Sequence, residues 1–387
     1  NTGNFRDRLR LDLYRSASLG LSLVNPVPGA LCQARALRTA LHLGDRHRIA
    51  YALAYHAMYS AAAGDLHIRY ARSLVAQSRA IAETDRDPFL LGWARCGEGA
   101  VEYFAGHFGR AADVLVDAEA QLREFSVGVL PELNHVRLFV MFALRRHGAF
   151  DRLRGEYDEY VRDATRRGDR YAMTSFRWSA NEVWLASDDP ARAHAELEAA
   201  SWSPPEEGLH LQHWFLARAR AELALYEDDR DAMHRAREQL VKVLSTPLAH
   251  VEVVRADTSL ELARFAIVEG DLAEARRVLA RLRRERAPYV RALVLLIEAA
   301  ADELAGRTAE ARAHLADATA LCEASGMDVI CALARRRTGE MMGGDLGERV
   351  AADADAVLVR HGIANPTRFS RVFATWPDPR RALTSRT

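Results

Sequence analysis

Lysine is almost missing from this chain. Of its 53 basic residues all but one are arginine, and the exception, Lys242, lies in the run EQLVKVL. A phosphate-binding loop and a protein-kinase core each need a lysine in a defined context, so neither is expected here. An excess of charge of either sign is missing too. With 53 acidic residues against 53 basic ones the formal net charge is zero, which argues against the broad basic footprint of a nucleic-acid binder. Cysteine is scarce. Cys32, Cys96, Cys322 and Cys331 form no CxxC pair, a pattern that fits a reducing compartment such as the cytoplasm. No apolar run approaches the roughly 18 uncharged residues of a membrane span. The first residue is Asn1 and no signal-peptide pattern follows, so the chain is expected to be a piece of a longer polypeptide.

Strand signals are absent as well, because β-branched residues never alternate with polar ones over more than a few positions. What the chain has in plenty is apolar surface, 49% of residues, arranged at helical spacing. Residues 105–122, AGHFGRAADVLVDAEAQL, carry the clearest example. Gly106 closes one helix, and a second helix places Ala111, Leu115 and Ala118 at i, i+4 and i+7, on one face. Small residues there admit a neighbouring helix and the leucine fills its groove.

That unit recurs. Turns closing the first helix of each pair fall near Gly64, Gly106, Gly148, Asp188, Asp228, Gly270 and Gly306, about 40 residues apart, the spacing of a repeat architecture. Five positions after the turn stand Ala111, Leu153, Ala193, Ala275 and Ala311; four further on, Leu115, Tyr157, Leu197, Leu279 and Leu315; three beyond those, Ala118, Tyr160, Ala200, Leu282 and Ala318. Two copies slip. The unit at Asp228 needs a shifted register, and the unit at Gly64 has Ala71 where the frame asks for residue 69. Connectors carry helix breakers, among them Asp87-Pro88, Ser203-Pro204-Pro205 and Ala287-Pro288. One such pair cannot bury both apolar faces, so neighbours must stack.

The expected fold is therefore all-α, a right-handed superhelical array of antiparallel helix pairs. Its glycine-turn-alanine frame resembles that of tetratricopeptide repeats, including Gly99 seven residues before the Gly106 turn. The repeat is nearer 40 than 34 residues and usually lacks the early aromatic, so HEAT-like pairs are the structural alternative. The division expected is N-terminal helices over 1–45, repeats over 46–326, capping helices over 327–376, and a tail, 377–387, with too little apolar content to order itself. Asn365 and Pro366 read as the N-cap and first residue of a short helix.

Two stretches, SASLGLSLVNPVPGALCQARALRTALHLGDRHRIAYALA (residues 16–54) and RHGIANPTRFSRVF (residues 360–373), resemble the C-terminal helical regions of large bacterial serine/threonine protein kinases of the type common in myxobacteria. In that family an ATPase module separates the kinase from a tetratricopeptide-like region. The resemblance implies a non-catalytic regulatory or partner-binding role. The partner would be a protein or peptide, with the parent's own kinase and ATPase domains among the candidates. It carries no catalytic residue onto this chain. The alternative is a small-molecule sensor, in which an inducer in the groove shifts the curvature of the array.

No residue set points to a reaction, a metal or a cofactor. His210 and His213 in HLQHW lie at i, i+3, a spacing able to share a metal, but no nearby Cys or carboxylate completes a set. Cys322 and Cys331 fall on successive antiparallel helices and read as buried thiols. The arginine runs 281–286 and 335–337 are candidate phosphate or acidic-peptide contacts, with solvated helix faces the plainer reading. Asp188-Asp189 and Asp228-Asp229 read as turn and cap residues. In tetratricopeptide-like folds the first helices line the concave side. The candidate partner-binding residues are accordingly Trp93, Tyr103, Trp178, Glu182 and Arg264. Large aromatics at helical spacing are mostly core; any that stand exposed would be hot spots.

Overall fold

The computed structural model describes residues 2–22, 24–199, 208–373 and 375–376, and among them there is no strand. Helices come in pairs. These are α1 (Thr2–Ser22) with α2 (Pro26–Leu43), α3 (Arg46–Ala62) with α4 (Ile68–Asp85), α5 (Pro88–Phe104) with α6 (Phe108–Phe125), and α7 (Leu130–His147) with α8 (Phe150–Arg167). The next first helix is broken into α9 (Arg170–Ser179) and α10 (Glu182–Ala186), followed by α11 (Pro190–Glu198). Then come α12 (Leu211–Glu227) with α13 (Arg230–Leu244), α14 (Glu252–Glu269) with α15 (Leu272–Leu282), α16 (Pro288–Leu304) with α17 (Thr308–Ser325), and α18 (Asp328–Met342) with α19 (Gly344–Arg360). A short helix, α20 (Pro366–Phe373), follows. The connector Ser203-Pro204-Pro205, the repeat position Ala200 and the tail 377–387 lie outside the described residues.

Six of the seven repeat turns take φ between 54° and 87°, while Gly64, at φ 116° and ψ 173°, stands apart. Gly64, Gly106, Gly148, Gly270 and Gly306 all take positive φ, and so do Asp188 (54°) and Asp228 (57°) where the glycine is replaced. The left-handed conformation costs glycine nothing, and aspartate tolerates it better than most L-residues. The residue after each aspartate caps the next helix: Asp189 Oδ1 accepts from the Arg192 amide at 2.9 Å and Asp229 Oδ1 from that of Ala232 at 3.0 Å.

The stacking face is as the spacing required. Ala111, Leu115 and Ala118 are fully enclosed, and so are Ala311, Leu315 and Ala318. A Cβ on Gly99 would fall 2.4 Å from Leu115 Cγ, so the glycine is what lets α5 and α6 close. Both register slips have local causes. A 3₁₀ turn over Asp65–His67 displaces α4, which buries Ala71, Leu74 and Val75 in place of the frame positions. On α13 the buried set is Met233, Ala236, Leu240 and Val243, one position off the frame in its middle. Beyond Gly326, where the periodicity fades, α18 and α19 form another packed pair. There Gly339 and Gly347 meet backbone to backbone, a Cβ on either falling within 2.6 Å of the other's carbonyl oxygen.

Two compact units result. Unit 1 comprises Asn1–Ala143, Pro204–His213 and Ser245–Val254; unit 2 comprises Leu144–Ser203, Trp214–Leu244 and Arg255–Thr387. In unit 1, α3 packs on both α4 and α5 around Leu53, Ala57, Leu74 and Val101. In unit 2, α12, α13 and α14 share a core of Ala221, Leu225, Met233, Leu240 and Phe265. The end of unit 2 returns to its beginning. His147 Nδ1 lies 3.0 Å from the Gly326 carbonyl and His361 Nδ1 lies 3.1 Å from that of Gly148. Among the described residues no helix is long and apolar enough to cross a membrane.

Candidate functional site

The first helices of unit 1 carry rings. Tyr51 on α3 lies flat on Trp93 of α5, with centroids 5.1 Å apart and planes within 10°, and the Trp93 indole N–H donates to the Tyr51 carbonyl at 3.3 Å. Tyr55, one turn on, tilts against the same tryptophan. From α7, His135 and Phe139 complete the cluster. The His135 ring stands edge-on to Tyr55, and Phe139 meets Tyr103 and Phe104 of α5 edge-on. Aromatic pairs in these offset and T-shaped arrangements add about 0.5–1.5 kcal/mol each beyond the area they bury. Desolvation holds the His135 imidazole down to about 4, so it is neutral near pH 7. Nearby, Glu132 accepts from Arg15 at 2.5 Å and from the Tyr51 hydroxyl at 3.0 Å, and Arg137 meets Glu119 at 2.9 Å.

Unit 2 carries charges in the equivalent place. Arg145 and Arg146 end α7, Glu182 opens α10, Arg218 and Glu222 sit one turn apart on α12, and α14 presents Asp257, Glu261 and Arg264; all are buried. They form one network. Arg145 pairs with Glu182 and Glu222, and Arg146 with Asp257. Arg218 lies 3.7 Å from Glu222, 3.9 Å from Asp257 and donates to the Ser179 carbonyl at 2.5 Å. Arg264 donates to Glu261 at 2.7 Å. Four guanidinium groups face four carboxylates, the near-balance of charge under which such a cluster is tolerable. Burial dominates two titrations. It pushes the Glu261 carboxyl up to about 7 against the pull of Arg264, and lowers Arg145 to about 10, Arg218 adding to that fall.

None of the five residues assigned to a partner-binding lining stands exposed. Trp93, Tyr103, Trp178, Glu182 and Arg264 are each at least 95% enclosed. Trp93 and Tyr103 belong to the ring cluster, Glu182 and Arg264 to the ion network. Trp178 faces the other way, its indole N–H donating to the Leu197 carbonyl of α11 at 3.3 Å. The half-buried rings are instead Phe104, His135, Phe139 and Phe142. The signal for the α7 members was present in HVRLFVMF, which sets His135, Phe139 and Phe142 at i, i+4 and i+7.

Other candidates resolve into structural contacts. His213 Nδ1 accepts the His210 amide at 2.9 Å, and among the described residues no three His, Cys, Asp or Glu side chains gather to hold a metal. Cys322 and Cys331 are free and buried, and burial pushes the Cys322 thiol up to about 12, away from thiolate chemistry. Arg336 meets Asp355 at 2.8 Å, Arg337 meets Glu340 at 2.7 Å, and Arg335 pairs with Glu323. In the other run Arg283 lies 2.5 Å from Glu298 and Glu285 is 2.7 Å from Arg255. In comparisons with known proteins, no family model matches the chain and no curated protein matches it.

Proposed function

We propose that this chain is a non-catalytic interaction and regulatory region that binds protein or peptide partners through the first helices of its pairs. The observation that carries this reading is the half-buried ring cluster of unit 1, in which Phe104, Phe139 and Phe142 keep part of their surface uncovered. Aromatic groups on a rigid frame lose little conformational entropy when covered, which is why they serve as anchors. The resemblance of residues 16–54 and 360–373 supports a setting beside a bacterial serine/threonine kinase and an ATPase module, whose domains would be the first partners to test. Pull-down and calorimetry with the purified chain against a kinase–ATPase fragment and cell extract test this. Binding that weakens at least tenfold in F139A supports it; binding unchanged in F139A removes the ring cluster from the interface.

A sensor role is the second reading. It has for support a small cavity in unit 2 lined by Arg145, Arg146, Phe150, Leu293, Ile330 and Phe373, about 10 Å³, which has room for about one water and would have to open for a ligand. Ligand-dependent thermal shifts in a metabolite screen, abolished by I330W, would favour it over protein binding.

A further inference from the structure

The C-terminal helix α20 does more than end the array; it is seated on unit 2 as a ligand would be. Its two rings enter the interior. Phe369 stands edge-on to Phe150 at 5.2 Å, and Phe373 lies between the guanidinium groups of Arg145 and Arg264, each 5.8 Å from its centroid. Arg264 Nε also donates to the Phe373 carbonyl at 3.3 Å. Cation–π contacts of this kind, in a desolvated place, reward an aromatic ring specifically.

On the polar side of the helix Arg336 donates to the Thr367 hydroxyl at 2.8 Å and Arg371 to the Tyr226 carbonyl at 3.4 Å, but one carboxylate makes most of the contacts. Asp188 accepts from Arg368 at 2.8 Å, from the Asn365 amide at 3.0 Å and from the Tyr226 hydroxyl. These bonds hold its carboxyl below the usual aspartate range. Arg368 stacks over the Tyr226 ring at 4.4 Å, and the Ala364 amide donates to the Ala186 carbonyl at 2.7 Å. Asp188 occupies a turn that is glycine in five of the seven repeats, at a φ of 54° that glycine would take without strain. Asp188 is one of two turns that depart from glycine, and its side chain holds α20.

We propose that the face of unit 2 formed by Asp188, Tyr226, Phe150, Arg145 and Arg264 is a docking site for a short amphipathic helix. Its occupant bears aromatic residues at i and i+4 with an arginine just before the first, and α20 fills the site in cis until a partner helix of that chemistry displaces it. This rests on the interaction reading above. The occupant's chemistry comes from α20 itself, in which RFSRVF sets Arg368, Phe369 and Phe373 in that order. A tethered helix competes at an effective concentration of order millimolar, so an intact chain excludes weaker helices and a partner must match or exceed α20.

The test uses the full chain and a fluorescent peptide of residues 361–376. R368E sets a carboxylate against Asp188 at a half-exposed position and so loosens the tethered helix without touching the interior. In R368E, hydrogen exchange of the 366–373 amides should accelerate at least tenfold while α12 and α14 stay protected, and the peptide should bind at least tenfold more tightly than to the unaltered chain. Adding D188G, which keeps the turn, should remove most of that binding, and a peptide carrying F369A and F373A should not bind. Protection of 366–373 unchanged in both R368E and R368E/D188G would overturn the proposal. So would a released α20 with no peptide binding, or equal binding of the ring-less peptide. Because the ligand is the chain's own helix, failure to find an external partner would count only against the broader interaction reading.

Discussion

In unit 1 the first helices meet through rings, with Tyr51 stacked on Trp93 and Phe139 against Phe104, whereas in unit 2 the same helix-pair frame meets through Arg145, Arg146, Arg218 and their carboxylates. The two solutions differ in how they depend on geometry. Ring contacts are short-ranged and individually weak, and a misplaced ring still buries its area. A buried ion network stabilises only if every charge finds its partner, since one removed partner strands another charge in a low-dielectric interior. The ring lining is therefore tolerant and the ionic one exacting. An exacting lining is also the one suited to hold α20 in a single register.

That contrast is broken or upheld by the largest effects. Asp257→Asn keeps shape but leaves Arg146 and Arg218 without their shared carboxylate, and should cost about 3–5 kcal/mol of stability. Trp93→Phe keeps a ring on Tyr51 and loses mainly the indole hydrogen bond and some area, about 1 kcal/mol. Trp93→Ala should match the aspartate change at about 3–5 kcal/mol. Urea unfolding of the three variants orders them. If the phenylalanine variant proves as damaging as the asparagine one, the linings are equally exacting.

How far the sequence announced this depends on the kind of interaction. The turns, the enclosed alanines and leucines and the Gly99 contact follow from a 3.6-residue period and from backbone sterics, both local, so they were legible. The ion network was not. Glu182, Glu222 and Asp257 look like any acid on a helix near arginines, and only the return of distant helices to one place buries them. The α18–α19 helices were expected as a cap, but their close packing was not legible, because Gly339 and Gly347 meet through backbone. Trp93 stands thirteen positions before its turn and Trp178 ten before its own, and the two indoles accordingly meet different neighbours, α3 for Trp93 and α11 for Trp178.

The next effect in size is pH dependence, and the units should oppose each other. The imidazole of His135 in unit 1 is depressed to about 4. Its contribution is present above the ordinary histidine value and is lost as pH falls from about 6.5 toward 4. The carboxyl of Glu261 in unit 2 is raised to about 7. Its contribution is present below about 4.5 and is lost as pH rises through 7. Between pH 7.5 and 5.0 the two should change stability with opposite signs, His135 by about 2 kcal/mol. His135→Gln should remove the acid-side loss and Glu261→Gln the neutral-side loss, read by urea unfolding at the two pH values. Slopes of the same sign would end the contrast.

A smaller effect tests the frame common to both units. Gly99→Ala sets a Cβ against the Leu115 side chain, which is flexible enough to give way. Overpacking of about 1–3 kcal/mol is offset by up to about 1 kcal/mol of helix propensity, leaving a net loss of about 1 kcal/mol in a thermal melt. A gain in stability would mean that α5 and α6 have slack at their closest approach.

The smallest effect separates buried charge from charge as such. Arg79 and Glu83 form an i, i+4 pair on α4 of unit 1 at 2.8 Å, with about half of each side chain in solvent. Water screens such a pair and its two long side chains resist being ordered, so Glu83→Ala should cost about 0.3–0.5 kcal/mol and less at high salt. The Asp257→Asn loss in unit 2 should be nearly insensitive to salt, because no counterion reaches a network enclosed by α7, α12 and α14. Denaturant curves of both variants at 0.05 and 0.5 M salt decide it. Equal salt sensitivity would place the unit 2 charges in contact with solvent, and the exacting character argued for that lining would fall with it.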